Sequence, residues 1–199
     1  DLFWNKEDPP NYDIFIDVAR DFDWIFTTAE ECIEKYRRDC GHDRVFCLPF
    51  AAQPAIHNPI GKQERAGLDI AFAGTWYRHK HKERSEFLPI ILDPSTRYKL
   101  HIFDRMSDWD KDDSYEFPKH LQPFIHPKIP YDEMLNLHRI FKVFLNTNSV
   151  FDSNTMFSRR VFEILASSTP VVSTASVGIE RMFGELVPVV KTKEEAAVV

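Results

Sequence analysis

The sequence predicts an α/β fold, a Rossmann-like doubly wound parallel sheet, and three observations predict it. Short apolar, β-branched runs alternate with longer helical runs along most of the 199 residues. Several of the short runs are apolar almost without interruption, which is how strands buried on both faces of a parallel sheet read. No internal repeat or low-complexity tract breaks the pattern, so strand, helix and strand follow one another as right-handed crossover units.

In chain order the strand-like segments are DWIFTT (23–28), RVFCLPF (44–50), LDIAFAG (68–74), YKLHIF (98–103), KVFLNTN (142–148), PVVST (170–174) and LVPVV (186–190). Helices are expected over 29–38, 84–92, 131–140, 158–167 and 179–183, with a last one opening after Thr192. The stretch DWDKDDSYEFPKH is acidic and reads as a surface loop. A boundary is expected in AAQPAIHNPIGKQERAG, where prolines, glycines and scattered charge separate two strand–helix blocks. Residues 1–63 then read as the end of a preceding domain plus a linker, and 64–199 as a Rossmann-like domain. The first residue is Asp and the last residues read as helix, so a piece of a longer protein is expected, stopping short of the domain's end.

Composition narrows the function classes. Lys and Arg number 25 against 31 Asp and Glu, a formal charge of −6, so a nucleic-acid partner is not expected. Hydrophobic residues are 43% and aromatics 14%, which rules out disorder. No apolar run approaches the ~20 residues of a membrane span. Cys32, Cys40 and Cys47 are odd in number and lack Cys-x-x-Cys spacing, which points to reduced thiols in a cytoplasmic protein rather than a disulfide framework or zinc site. No Gly-x-Gly-x-x-Gly follows a strand, which disfavours a dinucleotide oxidoreductase.

The most informative segment is FLNTNSVFDSNTMFSRRVFEILASSTPVVST. A strand ends in a polar loop, a helix follows, and another strand succeeds it, which puts the loop at the carboxyl edge of the sheet, where open α/β sheets bind ligands. Ser153, Asn154, Thr155 and Ser158 all offer cap oxygens. Arg159 and Arg160 fall in the first helical turn, where a cation opposes the helix dipole at about 0.3–1 kcal/mol each. Two guanidinium groups beside free amides suit a bound phosphate. The alternative is an Arg159–Glu163 pair at i,i+4, in the weaker orientation with the cation first. The basic run RHKHKER, Arg78 to Arg84, reads either as a solvated loop or as an anion site.

This segment resembles the donor-binding region of GT-B glycosyltransferases. Together with FWNKEDPPNYDIF, FDWIFTT, LPFAAQP followed by HNP, and AFAGTWY, in that order, it is similar to the spore-maturation-protein-like branch, whose C-terminal half is a group 1 glycosyltransferase domain. The resemblance implies a nucleoside-diphosphate sugar as donor substrate, no separate cofactor, metal-independent transfer, and a glycan or other acceptor bound through an N-terminal domain. Glu163 is implied to hold the donor ribose, with Asn148, Met156, Phe157 and Ser158 near the diphosphate or sugar. Relatives often carry a glutamate eight residues earlier, on the sugar; here that position is Thr155. For the diphosphate, helix register favours Arg84 and direct counting from Gly74 favours Lys80, and Arg84 is preferred. Ile129 and Tyr131 are candidate neighbours of the base, or else a capped helix start. Arg84, Arg159 and Arg160 are then the catalytic candidates, stabilising the departing diphosphate. Two rivals stand beside this reading: a degenerate module kept for protein association, and an epimerase on the same fold.

Overall fold

The computed structural model describes residues 1–63, 67–79 and 82–199, the Lys82 side chain excepted. The chain divides into two compact units. The first comprises 1–51, 150–157 and 176–184, and the second comprises 52–149, 158–175 and 185–199. Residues 52–63, expected to be linker, thus pack with the second unit.

The first unit holds a parallel three-stranded sheet, β1 (Leu2–Asn5), β2 (Trp24–Thr27) and β3 (Val45–Cys47), in that order. Helices α1 (Tyr12–Ala19) and α2 (Ile33–Cys40) link its strands. Neither β1 nor α1 was evident as a strand or helix signal, because LFWN and YDIFIDVA are short and interrupted by polar residues. Tyr12, Ala19, Ile25, Ala29, Cys32, Tyr36 and Val45 form its core. The buried Asp8 accepts from Thr27 Oγ1 at 2.6 Å and Asn5 Nδ2 at 2.8 Å, and burial pushes its carboxyl above the usual range.

The second unit is the doubly wound layer. Its strands are β4 (Ile70–Gly74), β5 (Leu100–Asp104), β6 (Ile125–His126), β7 (Val143–Asn146), β8 (Val171–Thr174) and β9 (Val189–Val190). All neighbouring strands are parallel, in the order β6-β5-β4-β7-β8-β9. The chain winds one way from β4 through β5 and β6, then returns through α4 (Tyr131–Ile140) to β7 and winds the other way. The strand order therefore reverses between β4 and β7, whose register pairs Ile70 with Val143 and Phe72 with Leu145. A ligand crevice belongs at the carboxyl ends of these two strands.

Helix α3 (Lys82–Ser95) joins β4 to β5, and α5 (Arg160–Ala166) joins β7 to β8. The sequence places apolar Leu88, Ile91 and Leu92 on the side of α3 that meets Phe72, Leu100 and Ile102 of the sheet, and all six are buried. Helix α6 (Val177–Phe183) belongs to the first unit, and α7 (Lys193–Ala196) ends the second, its Lys193 paired with Asp93 at 2.5 Å. Phe72 lies fully buried in the middle of β4. Phe72→Ala is expected to destabilise the protein by about 3–5 kcal/mol, read as a lowered urea midpoint.

Candidate functional site

At the turning point of the sheet the chain gathers positive charge. Arg84, in the first turn of α3, reaches back over the end of β4 and donates to Thr147 O, just past β7, at 3.3 Å. Its guanidinium lies 5.7 Å from the Tyr77 ring centre, and its Nε has no hydrogen-bond partner among the described residues. Gly74 ends β4 and makes the room. A Cβ there would meet the Phe72 ring at 2.8 Å and Arg84 Nη2 at 3.2 Å. Arg160, opening α5, donates to Ala73 O from the other side. Arg105, next after β5, is tied to Gly74 O through its amide at 3.1 Å and to the Tyr77 hydroxyl through Nη2 at 3.4 Å.

Among the described residues, none of these three arginines pairs with a carboxylate. Burial, followed by the charges of Arg160 and Arg105, holds the Arg84 guanidinium down at about 10, with Tyr77 acting the other way. Burial also lowers Arg160, opposed by Glu163 and reinforced by Arg105 and Arg159. Arg84 and Arg160, half-buried, and the exposed Arg105 beside them form a seat for an anion of more than one charge.

Glu163 lies one turn after Arg160 on α5 and is 5% exposed. Its close contacts reach the same oxygen, Oε1: Arg159 Nε pairs with it at 2.8 Å and the Tyr131 hydroxyl donates to it at 3.2 Å, while His57 Nε2 stands 3.8 Å away. No described residue donates to Oε2. The side chain is thus fixed by one oxygen and offers the other, a geometry suited to accepting from neutral hydroxyls. Burial and the Glu163 charge raise Tyr131 above its ordinary value, so its hydroxyl keeps its proton.

The structure brings together only part of the predicted set. Arg84, Arg160, Glu163 and Tyr131 lie in the second unit, around the ends of β4 and β7 and the starts of α4 and α5. Arg159, expected on the phosphate, is instead bound to Glu163, the i,i+4 pair set out above as the alternative. Ser158 gives its amide to Asn148 Oδ1 at 3.0 Å. Asn148 is itself spent on Ser173 Oγ at 3.2 Å and Thr174 O at 3.5 Å, so this Asn stitches β7 to β8. Ile129 is half-buried in the loop before α4. Lys80 lies outside the described residues.

Thr155, Met156 and Phe157 fall in the first unit. The Thr155 hydroxyl donates to Thr28 O and accepts from the Glu30 amide, both at 2.9 Å. Met156 packs on the core of that unit, and Phe157 packs edge-on against Phe183 at 6.1 Å. Their side chains are occupied there, because the helix opens at Arg160 rather than at Ser158.

Two residues escaped the sequence reading. Arg105 stands just ahead of the acidic stretch, and only its place directly after a strand hinted at the sheet edge. His57 was visible only as part of HNP. The acidic stretch itself, expected as a plain surface loop, contributes Trp109, Asp112, Asp113, Tyr115 and Glu116 to the wall of a cavity of about 400 Å³ beyond β5. It also contains two Asp-x-Asp spacings, 108–110 and 110–112, so absence of that motif gives no support to the expectation of metal-independent transfer. Asp108 is paired with Lys128, and Asp112 accepts from the Ser114 amide at 2.9 Å.

Residues 53–198 match a family described as glycosyl transferase-like. No curated protein matches the sequence. The fold is similar to a glycosyltransferase from Rickettsia africae, with a TM-score of 0.59 and 10% identity over 99% of this chain and 57% of that one. It is also similar to HepE of Anabaena in complex with UDP and glucose (0.60, 10%, 99% and 59%). A third likeness is a TarM variant of S. aureus in complex with fondaparinux, α-GlcNAc-glycerol and UDP (0.56, 14%, 94% and 38%). This chain therefore spans less than two thirds of each of these structures.

Proposed function

The chain belongs to the glycosyl transferase-like family, and from that premise we propose that it is the donor-binding part of a glycosyltransferase using a nucleoside-diphosphate sugar. The observation that carries the proposal is the set of Arg84, Arg105 and Arg160, without carboxylate partners among the described residues, with Arg160 one helical turn from the half-satisfied carboxylate of Glu163. The diphosphate would sit among the guanidinium groups and the ribose hydroxyls on Glu163 Oε2. As the glycosidic bond breaks, negative charge grows on the leaving diphosphate. Fixed cations then stabilise the transition state more than the bound ground state. In this reading the arginines supply the charge that a metal supplies elsewhere, and transfer is metal-independent.

The finer parts of the proposal rest on the resemblance. They are membership of the spore-maturation-protein-like branch, a hexosyl donor, a glycan or cell-surface acceptor held by a preceding domain, and a cytoplasmic location. The ordered motifs support the first. The neighbours crystallised with UDP, glucose or α-GlcNAc-glycerol are consistent with a sugar nucleotide. No helix among the described residues is long and apolar enough to cross a membrane.

Calorimetric titration with UDP and GDP tests the reading. Binding is expected, and Glu163→Ala is expected to weaken it about tenfold or more, as for a hydrogen bond to a charged group. Absence of a response to either nucleotide overturns it and favours an association module. Interconversion of free sugar nucleotides without any acceptor would identify an epimerase instead.

A further inference from the structure

We infer that His57 is a positioning residue for the donor ribose, acting through Tyr131 on Glu163. The inference rests on the donor-site reading above and adds a residue to it. His57 is 6% exposed, and its ring is held from both sides. Its Nδ1 accepts the Gln53 amide at 3.0 Å, which places the ring proton on Nε2. That Nε2–H lies 3.3 Å from the Tyr131 hydroxyl, which in turn donates to Glu163 Oε1 at 3.2 Å. The direction of the chain is therefore fixed from imidazole to phenol to carboxylate.

The loop carrying His57 is anchored as well. Arg139 of α4 donates to Ile56 O at 2.8 Å and to Asn58 O at 2.9 Å, the carbonyls on either side of His57. The Asn58 amide closes back on Pro54 O at 2.9 Å. A segment that reads as linker is thereby clamped to α4, and it presents one donor to the Tyr131 hydroxyl, which in turn holds the oxygen of Glu163 that the ligand does not need. Occupying Oε1 from the protein side leaves Oε2 for vicinal hydroxyls and holds the carboxylate plane in one orientation.

The test compares UDP and GDP with their 2′,3′-dideoxy counterparts, which keep base and diphosphate but lack the hydroxyls. His57→Ala is expected to weaken the ribonucleotide about fivefold and the dideoxynucleotide by less than about twofold. His57→Gln, which keeps an N–H near the same place, should recover much of the loss. Tyr131→Phe, at a residue 54% exposed and so safe for folding, should reproduce it and should add little when combined with His57→Ala. Equal losses for both sugars, or no loss in either, overturn the inference. If Glu163→Ala weakens ribonucleotides while His57→Ala and Tyr131→Phe do not, this inference falls alone. If Glu163→Ala has no effect either, the donor-site reading falls with it.

Discussion

Arg84→Met is expected to make the free protein more stable while removing most of its affinity for a nucleoside diphosphate. The guanidinium is half-buried at the carboxyl end of β4, its Nε lacks a partner among the described residues, and Arg105 and Arg160 add like charge beside it. Burying a cation without an acid costs several kcal/mol, and an apolar side chain of similar length avoids that cost. Methionine should thus raise stability by about 1–3 kcal/mol, measured as a higher urea midpoint. The same change removes a charge-assisted donor to phosphate, so affinity for UDP or GDP should fall about 10- to 100-fold. A side chain that destabilises the empty protein and stabilises the complex is the mark of a ligand site. If Arg84→Met instead destabilises the protein and leaves nucleotide affinity intact, Arg84 is a structural residue.

Acid should weaken the fold through His138. This residue of α4 is fully buried, its ring edge-on to Phe144 at 5.0 Å, and neither ring nitrogen has a hydrogen-bond partner among the described residues. Burial first, then the charges of Arg160, His57 and Arg139, pushes it from 6.5 down to about 3. Above about pH 6.5 the ring is neutral both folded and unfolded, and its contribution to stability is fully present. Between 6.5 and about 3 only the unfolded chain takes the proton, so stability falls with each unit of acidification by about 1.4 kcal/mol. At pH 5 the loss should reach about 2 kcal/mol. Burial raises the carboxyls of Asp8 and Asp104, and their contribution runs the opposite way, growing as pH falls. The difference between the protein and His138→Leu therefore isolates the histidine. The variant's stability should decline less between pH 7 and 5, and parallel declines would show that His138 does not titrate in that window.

Much of the second unit was legible because its strands are nearly continuous apolar runs with buried neighbours on both faces. LDIAFAG and KVFLNTN became β4 and β7, the pair that frames the site. Arg84 was legible too, since helix register places it in the first turn of α3 at the edge of β4. Strand β6 was missed because its two residues carry no periodicity. Arg159 and Arg160 are adjacent and chemically alike, and only the helix start, two residues later than expected, sends one to Glu163 and the other to Ala73 O. The roles of Asn148 and Thr155 were hidden for a different reason. Polar side chains in a loop look available for a ligand, yet these two close hydrogen bonds within the fold. His57 lay beyond reach because its partners, Tyr131 and Glu163, are remote in sequence and meet it only through the anchoring of its loop by Arg139.

The most direct measurement is a calorimetric series in which nucleoside, nucleoside monophosphate and nucleoside diphosphate of one base are titrated in turn, for both uridine and guanosine. An arginine seat for a diphosphate predicts that, for the base that binds, affinity climbs at each added phosphate by about tenfold, as each charge gains guanidinium donors. A diphosphate that binds no better than its nucleoside would contradict it.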